Sequence, residues 1–166
     1  MATRSTITVG ILTSSDAGYR GLRKDESGQV VREMVEALGW RVVHVDLVPD
    51  EREMIVDRLR RWSGEVDLVL TTGGTGLGQR DITPEATRSV IEREVPGLPE
   101  AMRAVTAQNT PMAWLSRGAA GVRGRCLIIN LPGSPKAVRE CLEVVLPLIP
   151  HGLETLHGPT NIHPTG

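Results

Sequence analysis

Short apolar runs alternate with segments of helical periodicity along nearly the whole chain, and this alternation limits the possible folds more than any other feature. The runs VDLVL (residues 66–70) and CLIIN (residues 126–130) are almost continuously apolar. Strands covered by helices on both faces have this character, and strands that alternate with helices indicate βαβ units. The pattern predicts a mostly parallel sheet. Its strands are expected at residues 6–14, 41–48, 66–71 and 125–131.

Three segments carry apolar side chains at the 3.6-residue spacing of an amphipathic helix. Gly39 is the expected end of the first helix, because glycine commonly follows a helix. Thr83-Pro84 and Ser134-Pro135 are expected helix starts, each with a hydroxyl cap before a proline. The predicted buried faces are Val30, Val31, Met34, Val35 and Leu38; Ile55, Leu59 and Trp62; and Val138, Cys141, Leu142 and Val145.

The length of 166 residues is close to that of one domain, for which about 150 residues is usual. Prolines divide residues 96–122 into short helical pieces, and no linker or repeat separates the chain into parts. We therefore predict a single-domain, doubly wound α/β fold with helices on both faces of the sheet. It is expected to cover residues 1–158, followed by a flexible tail at residues 159–166.

The charge and composition exclude several classes of partner. The formal net charge of -1 lacks the basic surplus that nucleic-acid binding requires. No apolar stretch approaches the roughly 20 residues of a membrane span, and the apolar run at residues 7–12 is too short for a signal peptide. The only cysteines, Cys126 and Cys141, are interpreted as small core residues. We expect a cytoplasmic protein that binds neither nucleic acid nor membrane.

The segment TTGGTG, residues 71–76, follows the third predicted strand. In parallel sheets, ligands bind beyond the carboxyl ends of the strands, where this segment lies. Adjacent glycines allow successive N–H groups to face one anion, and threonine hydroxyls add donors. The alternative is an ordinary turn between a strand and a helix. The spacing matches neither the phosphate loop of the P-loop NTPases nor a dinucleotide fingerprint, so neither class is supported.

A second candidate anion site is the segment Pro132-Gly133-Ser134 after the last predicted strand. Gly133 permits close approach of a ligand to the backbone, and the free N–H groups at a helix start attract anions. The alternative is a capped helix start that needs no ligand.

Asp50 and Asp81 are the candidate acidic residues. Each lies just beyond a predicted strand, at the same edge of the sheet, so the two are expected to flank one pocket. Carboxylates at such a position hold Mg²⁺ against phosphate oxygens during phosphoryl and nucleotidyl transfer. The alternative for Asp50 is a helix cap with Glu53 three residues later, and for Asp81 a loop acid before a cap at Thr83.

Several ordered motifs together resemble the MogA/MoaB family of molybdenum-cofactor biosynthesis proteins, over residues 6–157. The longest is TTGGTGxxxRDxTPEA at residues 71–86. The others are SDxxxxGxxxDxSG (15–28), VPDE (48–51), PGL (96–98), LSRxxAGxRG (115–124) and LPGSPKA (131–137). Agreement among several motifs in order is more specific than any one of them.

The resemblance implies a molybdopterin-binding-domain-like fold and adenylyl transfer from Mg-ATP to molybdopterin. It assigns catalysis and Mg²⁺ binding to Asp50 and Asp81. It also implies a trimer, in some members a hexamer, that works with other enzymes of the pathway. The implied binding residues are Ser14, Asp16, Thr72, Gly73, Gly74, Thr75, Gly76, Pro132, Gly133 and Ser134.

Two other functions are compatible with the motifs. One is a non-catalytic molybdopterin carrier or scaffold, like relatives of the MoaB type, and the other is a generic nucleotide-binding module. The intact Arg80-Asp81 pair followed by TPEA favours the enzyme.

Overall fold

One six-stranded sheet forms the centre of the protein, in a computed structural model that describes residues 6–158. The predicted tail at residues 159–166 lies outside the described residues. The strand order is β2-β1-β3-β6-β5-β4, in which the first four strands are parallel to one another, and the β6-β5 and β5-β4 pairs are antiparallel. The strands are β1 Thr8–Ser14, β2 Arg41–Val48, β3 Leu68–Thr72, β4 Arg93–Glu94, β5 Ala120–Arg123 and β6 Cys126–Leu131.

Helices cover both faces of this sheet. They are α1 Asp16–Tyr19, α2 Glu26–Ala37, α3 Arg52–Ser63, α4 Thr83–Val90, α5 Gly97–Thr106, α6 Pro135–Val145 and α7 Ile149–His157, with 3-10 helices at Pro111–Leu115 and Leu146–Leu148. No helix within residues 6–158 combines the length and apolar character that a membrane crossing requires.

The strand side chains alternate between two hydrophobic cores, as the two-residue period of a strand requires. Leu68 and Leu70 of β3 pack with helices α2, α5, α6 and α7, whereas Val69 packs with α3 and α4. This arrangement confirms the doubly wound, mostly parallel fold. The predicted helix faces are buried or partly buried except at Leu38, which is 52% exposed because α2 ends before it.

The cysteines are core residues, as predicted. Cys126 lies on β6 and Cys141 on α6, and both are free and buried. Burial raises the pKa of the Cys126 thiol to about 12 and that of Cys141 to about 11. Both side chains are therefore neutral thiols at neutral pH, which suits an apolar core.

The antiparallel edge of the sheet was not predicted. The prediction of short helical pieces for residues 96–122 is right for α5 and the 3-10 helix at Pro111–Leu115 but wrong for β5. Strand β4 has two residues, both exposed and charged, so it has no apolar period that the sequence could reveal. Strand β5, with the sequence AGVR, is too short for a clear alternation.

Two of the three predicted helix boundaries are confirmed. Gly39 follows α2 with a φ of 79°, and Ser134 caps α6 by accepting the Ala137 N–H at 3.2 Å. The cap at Thr83 is wrong, because Ile82 occupies that position and makes no side-chain cap bond. The Thr83 N–H instead donates to the Gly74 carbonyl at 3.2 Å, which places Thr83 inside the first turn of α4.

Asn130 links β6 to the elements beside it from a position that is only 1% exposed. Its side-chain amide donates to the hydroxyls of Thr71 at 3.0 Å and Thr87 at 2.8 Å. The oxygen of the same side-chain amide, Oδ1, accepts the Ala119 N–H at 3.0 Å. A buried amide with its hydrogen bonds made is stabilising, whereas removing it leaves buried partners without hydrogen bonds.

We predict that Asn130→Ala lowers the free energy of unfolding by about 3 kcal/mol, since three buried hydrogen bonds are lost together. Urea unfolding followed by circular dichroism measures the change. The exposed Asn109→Ala is the matched control and should change the free energy by less than about 0.5 kcal/mol. A loss at position 130 no larger than that of the control would show that the linkage does not stabilise the fold.

Candidate functional site

The site lies where the carboxyl ends of the parallel strands meet. From β1 the chain crosses to β2 on one side and then returns to β3 on the other side of β1, so the strand order reverses between β1 and β3. A crevice opens at such a reversal and is the usual ligand site of doubly wound sheets. The segments that follow β1, β2, β3 and β6 border this crevice, as the sequence predicted.

The turn after β3 is shaped by two glycines in the left-handed conformation. Gly73 has a φ of 85° and Gly74 a φ of 70°, which side chains rarely adopt. A Cβ at Gly73 would lie 2.3 Å from the Ser14 carbonyl oxygen, and one at Gly74 would lie 2.3 Å from the Thr83 hydroxyl. Backbone conformation and available space therefore both require glycine, and the turn is wedged between the end of β1 and the start of α4.

The carbonyl groups of this turn are engaged by the protein. Those of Gly74, Thr75 and Gly76 accept hydrogen bonds from the Thr83 N–H, the Arg117 N–H and the Arg117 Nε, at 3.2, 2.9 and 2.8 Å. Within residues 6–158, the N–H groups of the same three residues donate to no protein acceptor. Unsatisfied N–H groups on a glycine turn are a suitable site for an anion.

Two cavities open on either side of the turn. The polar cavity, of about 570 Å³, lies between the ends of β1 and β3, and its wall includes Ser14, Asp50, Thr72 and Gly73. The apolar cavity, of about 450 Å³, lies toward α5 and the 3-10 helix, with Thr75, Gly76, Pro132 and the side chains of Met102, Met112 and Leu115 in its wall. Both cavities share Gly74, Asp81, Gly133 and Ser134.

Asp50 is held at the end of β1 by two hydrogen bonds. Its carboxylate accepts the Ser14 hydroxyl at 2.6 Å and the Asp16 N–H at 3.0 Å. The alternative prediction, that Asp50 caps α3, is wrong, since Glu51 occupies the cap position and makes no side-chain cap bond. Ser14 at the end of β1 and the Asp16 N–H at the start of α1 bind the carboxylate instead.

Asp16 supports Asp50 at the edge of the site. Its carboxylate accepts the Asp50 N–H at 3.0 Å and two bonds from Arg80, at 2.5 and 3.0 Å. The hydrogen bond from Arg80 is the main reason that the pKa of Asp16 falls to about 2. Arg80 also bonds Glu51 at 3.0 Å, so one guanidinium joins the loops after β1, β2 and β3. Asp16 is in the wall of neither of these two cavities, and its expected place in the binding site stays a prediction.

Asp81 belongs to a braced loop. Its carboxylate accepts the Gly78 N–H at 2.9 Å, and Arg117 donates to its carbonyl oxygen at 2.6 Å. Arg117 also forms an ion pair with Glu85, which lowers the pKa of that carboxyl below its ordinary value. Because Arg117 bonds Gly76 as well, both ends of the loop that carries Asp81 are fixed.

Several residues of the site were missing from the sequence-based prediction. The Thr72 hydroxyl bonds that of Thr13 at 3.2 Å, and Thr13 donates to Asp25 at 2.7 Å. The Ser27 hydroxyl donates to the Gly133 carbonyl at 2.5 Å, which joins the starts of α2 and α6. Asp25 and Ser27 lie in the SDxxxxGxxxDxSG string and were available as a signal, whereas Thr13 is one polar residue within an apolar strand.

The chain matches one protein family and resembles several characterised proteins. Residues 10–151 match the family described as "Probable molybdopterin binding domain". A molybdopterin adenylyltransferase of Helicobacter pylori J99 is 45% identical over 157 residues, covering 92% of this chain and 89% of that protein. A protein of the same name from Escherichia coli K12 is 38% identical, covering 85% and 74%.

Two solved structures have the same fold as this chain. The molybdopterin biosynthesis enzyme MoaB of Thermus thermophilus superposes with a TM-score of 0.87 and 55% identity, covering 93% of this chain and 98% of that chain. A structure of MogA superposes with a TM-score of 0.85 and 36% identity, covering 90% and 99%.

We predict that Arg80→Gln raises the pKa of Asp16 from about 2 toward the ordinary value of 3.8, since the largest cause of the low value is removed. The low pKa of Asp16 in the native protein also means that its carboxylate stabilises the fold at pH values above the pKa that it has in the unfolded chain. That stabilisation is lost as the pH falls toward 2. Carboxyl carbon NMR titration measures the shift, and Arg88→Gln, which removes the partner of Glu94 elsewhere, is the control. An unchanged Asp16 titration would contradict the assignment.

Proposed function

The chain belongs to the family of probable molybdopterin binding domains, and on that premise we propose that it is a molybdopterin adenylyltransferase. In the proposed reaction, a terminal phosphate oxygen of molybdopterin attacks the α-phosphorus of ATP. A phosphorus–oxygen bond forms there as the bond to the β-phosphate oxygen breaks, and pyrophosphate leaves with the electron pair.

The turn after β3 carries the proposal. The N–H groups of Gly74, Thr75 and Gly76 have no acceptor among the described residues, while the carbonyls of the same residues are held by Thr83 and Arg117. The bonds to the Gly74 and Thr75 carbonyls fix the peptide groups that carry the N–H groups of Thr75 and Gly76, and these N–H groups are left for a ligand. Fixed donors that face developing negative charge stabilise a transition state without reorganisation. Adenylyl transfer develops its charge on phosphate oxygens, which this turn suits.

The two cavities support a reaction with two substrates. Gly74 and Asp81 lie in the walls of both, so ligands bound on the two sides would meet at the turn. Holding two reactants in contact removes much of the entropic barrier of a bimolecular reaction. One polar wall and one wall with apolar side chains also match substrates that combine phosphates with a heteroaromatic ring.

Mg²⁺ fits the acids of the site. Within residues 6–158 no group of three or more histidine, cysteine or acidic side chains could hold a metal alone. Asp50 and Asp81 both line the polar cavity, and Mg²⁺ is usually held by one or two carboxylates with the remaining ligands from phosphates and water. We propose that these two carboxylates hold Mg²⁺ when ATP is bound, where it would withdraw charge from the phosphate oxygens. Ser14 and the Asp16 N–H keep Asp50 directed for that role.

The binding residues are proposed by position. Ser14, Thr72, Gly73 and Gly133 border the polar cavity, where they would contact phosphates together with the turn. Pro132 borders the apolar cavity, and Ser134, like Gly133, borders both. Asp16 is proposed as the support of Asp50.

The proposed assembly is the homotrimer that the family resemblance implies. The exposed apolar side chains of the 3-10 helix at Pro111–Leu115 support the proposal of an assembly, since Met112 is 65% and Trp114 is 60% accessible. Clusters of exposed apolar groups commonly mark protein interfaces. A cytoplasmic location and transfer of the product to other enzymes of the cofactor pathway belong to the same proposal, and two free buried thiols fit a reducing compartment.

The direct test incubates the purified, folded protein with molybdopterin, ATP and Mg²⁺. We expect pyrophosphate and adenylylated molybdopterin in equal amounts, with neither formed when ATP is left out. Tight binding of molybdopterin without either product would instead identify a non-catalytic carrier.

Asp81→Asn should keep molybdopterin binding and lower turnover on the order of a hundredfold or more, because a carboxylate that acts on the phosphates is lost. Steady-state kinetics and a pterin titration measure the two properties. The control is Asp57→Asn on α3, which removes an exposed acid paired with Arg58 and Arg61. Full activity of the Asp81 variant would refute the assignment of Asp81.

A further inference from the structure

Two basic side chains in the wall of the polar cavity have no protein partner among the described residues. Arg23 and Lys24 lie in the segment between α1 and α2, and of the residues within 6–158 they are the only cationic ones that line this cavity. Both are exposed. Within the part of the chain that the structure describes, neither side chain takes part in a hydrogen bond or an ion pair.

The other cationic side chains around the site already bond to protein groups. Arg80 bonds Asp16 and Glu51, and Arg117 bonds Gly76, Asp81 and Glu85. Arg103, in the wall of the apolar cavity, donates to the carbonyls of Ser116 and Gly118 at 3.2 and 3.3 Å. Guanidinium groups held in this way brace the loops. Of the described cations that line the two cavities, only Arg23 and Lys24 remain available to a ligand.

Two helix starts add to the positive potential of the polar cavity. Helices α2 and α6, of 12 and 11 residues, both begin in its wall, and the hydrogen bond from Ser27 to Gly133 holds the two starts together. The first turn of a helix carries partial positive charge from its N–H groups. In α6 that turn contains no acidic residue.

The acids of the same wall determine what kind of anion fits. Asp25 is occupied by Thr13 and the Gly28 N–H, and Glu26 is exposed, whereas Asp50 and Asp81 face the cavity. A lone monovalent anion would be repelled by these carboxylates. A polyphosphate chelated to Mg²⁺ is attracted by both kinds of charge in the wall. The metal would lie at the carboxylates, and the phosphate oxygens that do not bind the metal would lie at the cations.

We propose that Arg23 and Lys24 form the binding site for the β- and γ-phosphates of ATP and for the pyrophosphate that leaves. The inference rests on the proposed function for the identity of the nucleotide, while the charge arrangement itself specifies a di- or triphosphate. As the bond between the α-phosphorus and the bridging oxygen breaks, the electron pair passes to that oxygen, and the two cations stabilise the added charge. Both residues fall on unspecified positions of the SDxxxxGxxxDxSG string, so the motif gives no indication of this role.

The test is isothermal titration of the full chain with inorganic pyrophosphate in the presence of Mg²⁺. The double variant Arg23→Gln/Lys24→Gln should bind pyrophosphate at least about tenfold more weakly than the native protein, because two charge-assisted contacts are lost. Its KM for ATP should rise by a similar factor, while the dissociation constant for molybdopterin stays unchanged. Salt should weaken binding to the native protein more than to the variant.

Matched variants separate a local site from general charge. Arg41→Gln/Arg60→Gln removes the same two charges from exposed positions outside both cavities and should bind pyrophosphate like the native protein. Arg23→Lys/Lys24→Arg keeps the charges and should retain most of the affinity. The binding data of a variant are used only if its urea unfolding midpoint equals that of the native protein.

The outcomes distinguish this inference from the proposed function. Equal pyrophosphate affinity in the native protein and the Arg23/Lys24 double variant, or no binding by the native protein at millimolar concentration, would overturn the polyphosphate site even if adenylyl transfer occurs. If adenylyl transfer is absent but pyrophosphate binding depends on the two cations, the proposed function fails and the site stands.

Discussion

The site depends on a glycine turn confined between two elements that leave no room for a side chain. Gly73 lies against the Ser14 carbonyl of β1, and Gly74 lies against Thr83 of α4, so the left-handed conformation of the turn is set by packing on both sides. The hydrogen bonds to its carbonyls hold the peptide groups in one orientation. A donor array fixed in this way before a ligand arrives needs no rearrangement to stabilise charge.

Opposite the turn, the acids are linked through a single cation. Arg80 precedes Asp81 in sequence and bonds Asp16, and Asp16 in turn exchanges backbone–carboxylate hydrogen bonds with Asp50. The separation of Asp50 and Asp81 is thus set by one connected path across the strand ends. Exposed ion pairs contribute little to stability, so the main effect of this path is to fix the positions of the two carboxylates. It keeps two like charges at one cavity, where a divalent cation that arrives with a polyphosphate can compensate them.

The sequence predicted the parts of this protein that depend on long patterns. Strands β1, β2, β3 and β6 and the faces of α2, α3 and α6 were recognisable because many consecutive residues repeat one period. Strand β4 was not, since two charged residues carry no period. The glycine turn and the two acids were identified from the sequence, and the structure brings them to one edge of the sheet.

Predictions of individual contacts from the sequence were less successful, because competition between partners decides them. Asp50 has the residue type and position of a helix cap, yet Ser14 and the Asp16 N–H engage its carboxylate. Thr83 has them too, but the bond from its N–H to the Gly74 carbonyl places it inside the first turn of α4, where its buried hydroxyl has no hydrogen-bond partner among the described residues.

A crystal structure with Mg²⁺ and a non-hydrolysable ATP analogue would show whether the glycine turn binds phosphate. We expect phosphate oxygens within hydrogen-bonding distance of the N–H groups of residues 74–76 and a metal between Asp50 and Asp81. A nucleotide bound away from this edge, in every copy of the chain, would contradict it.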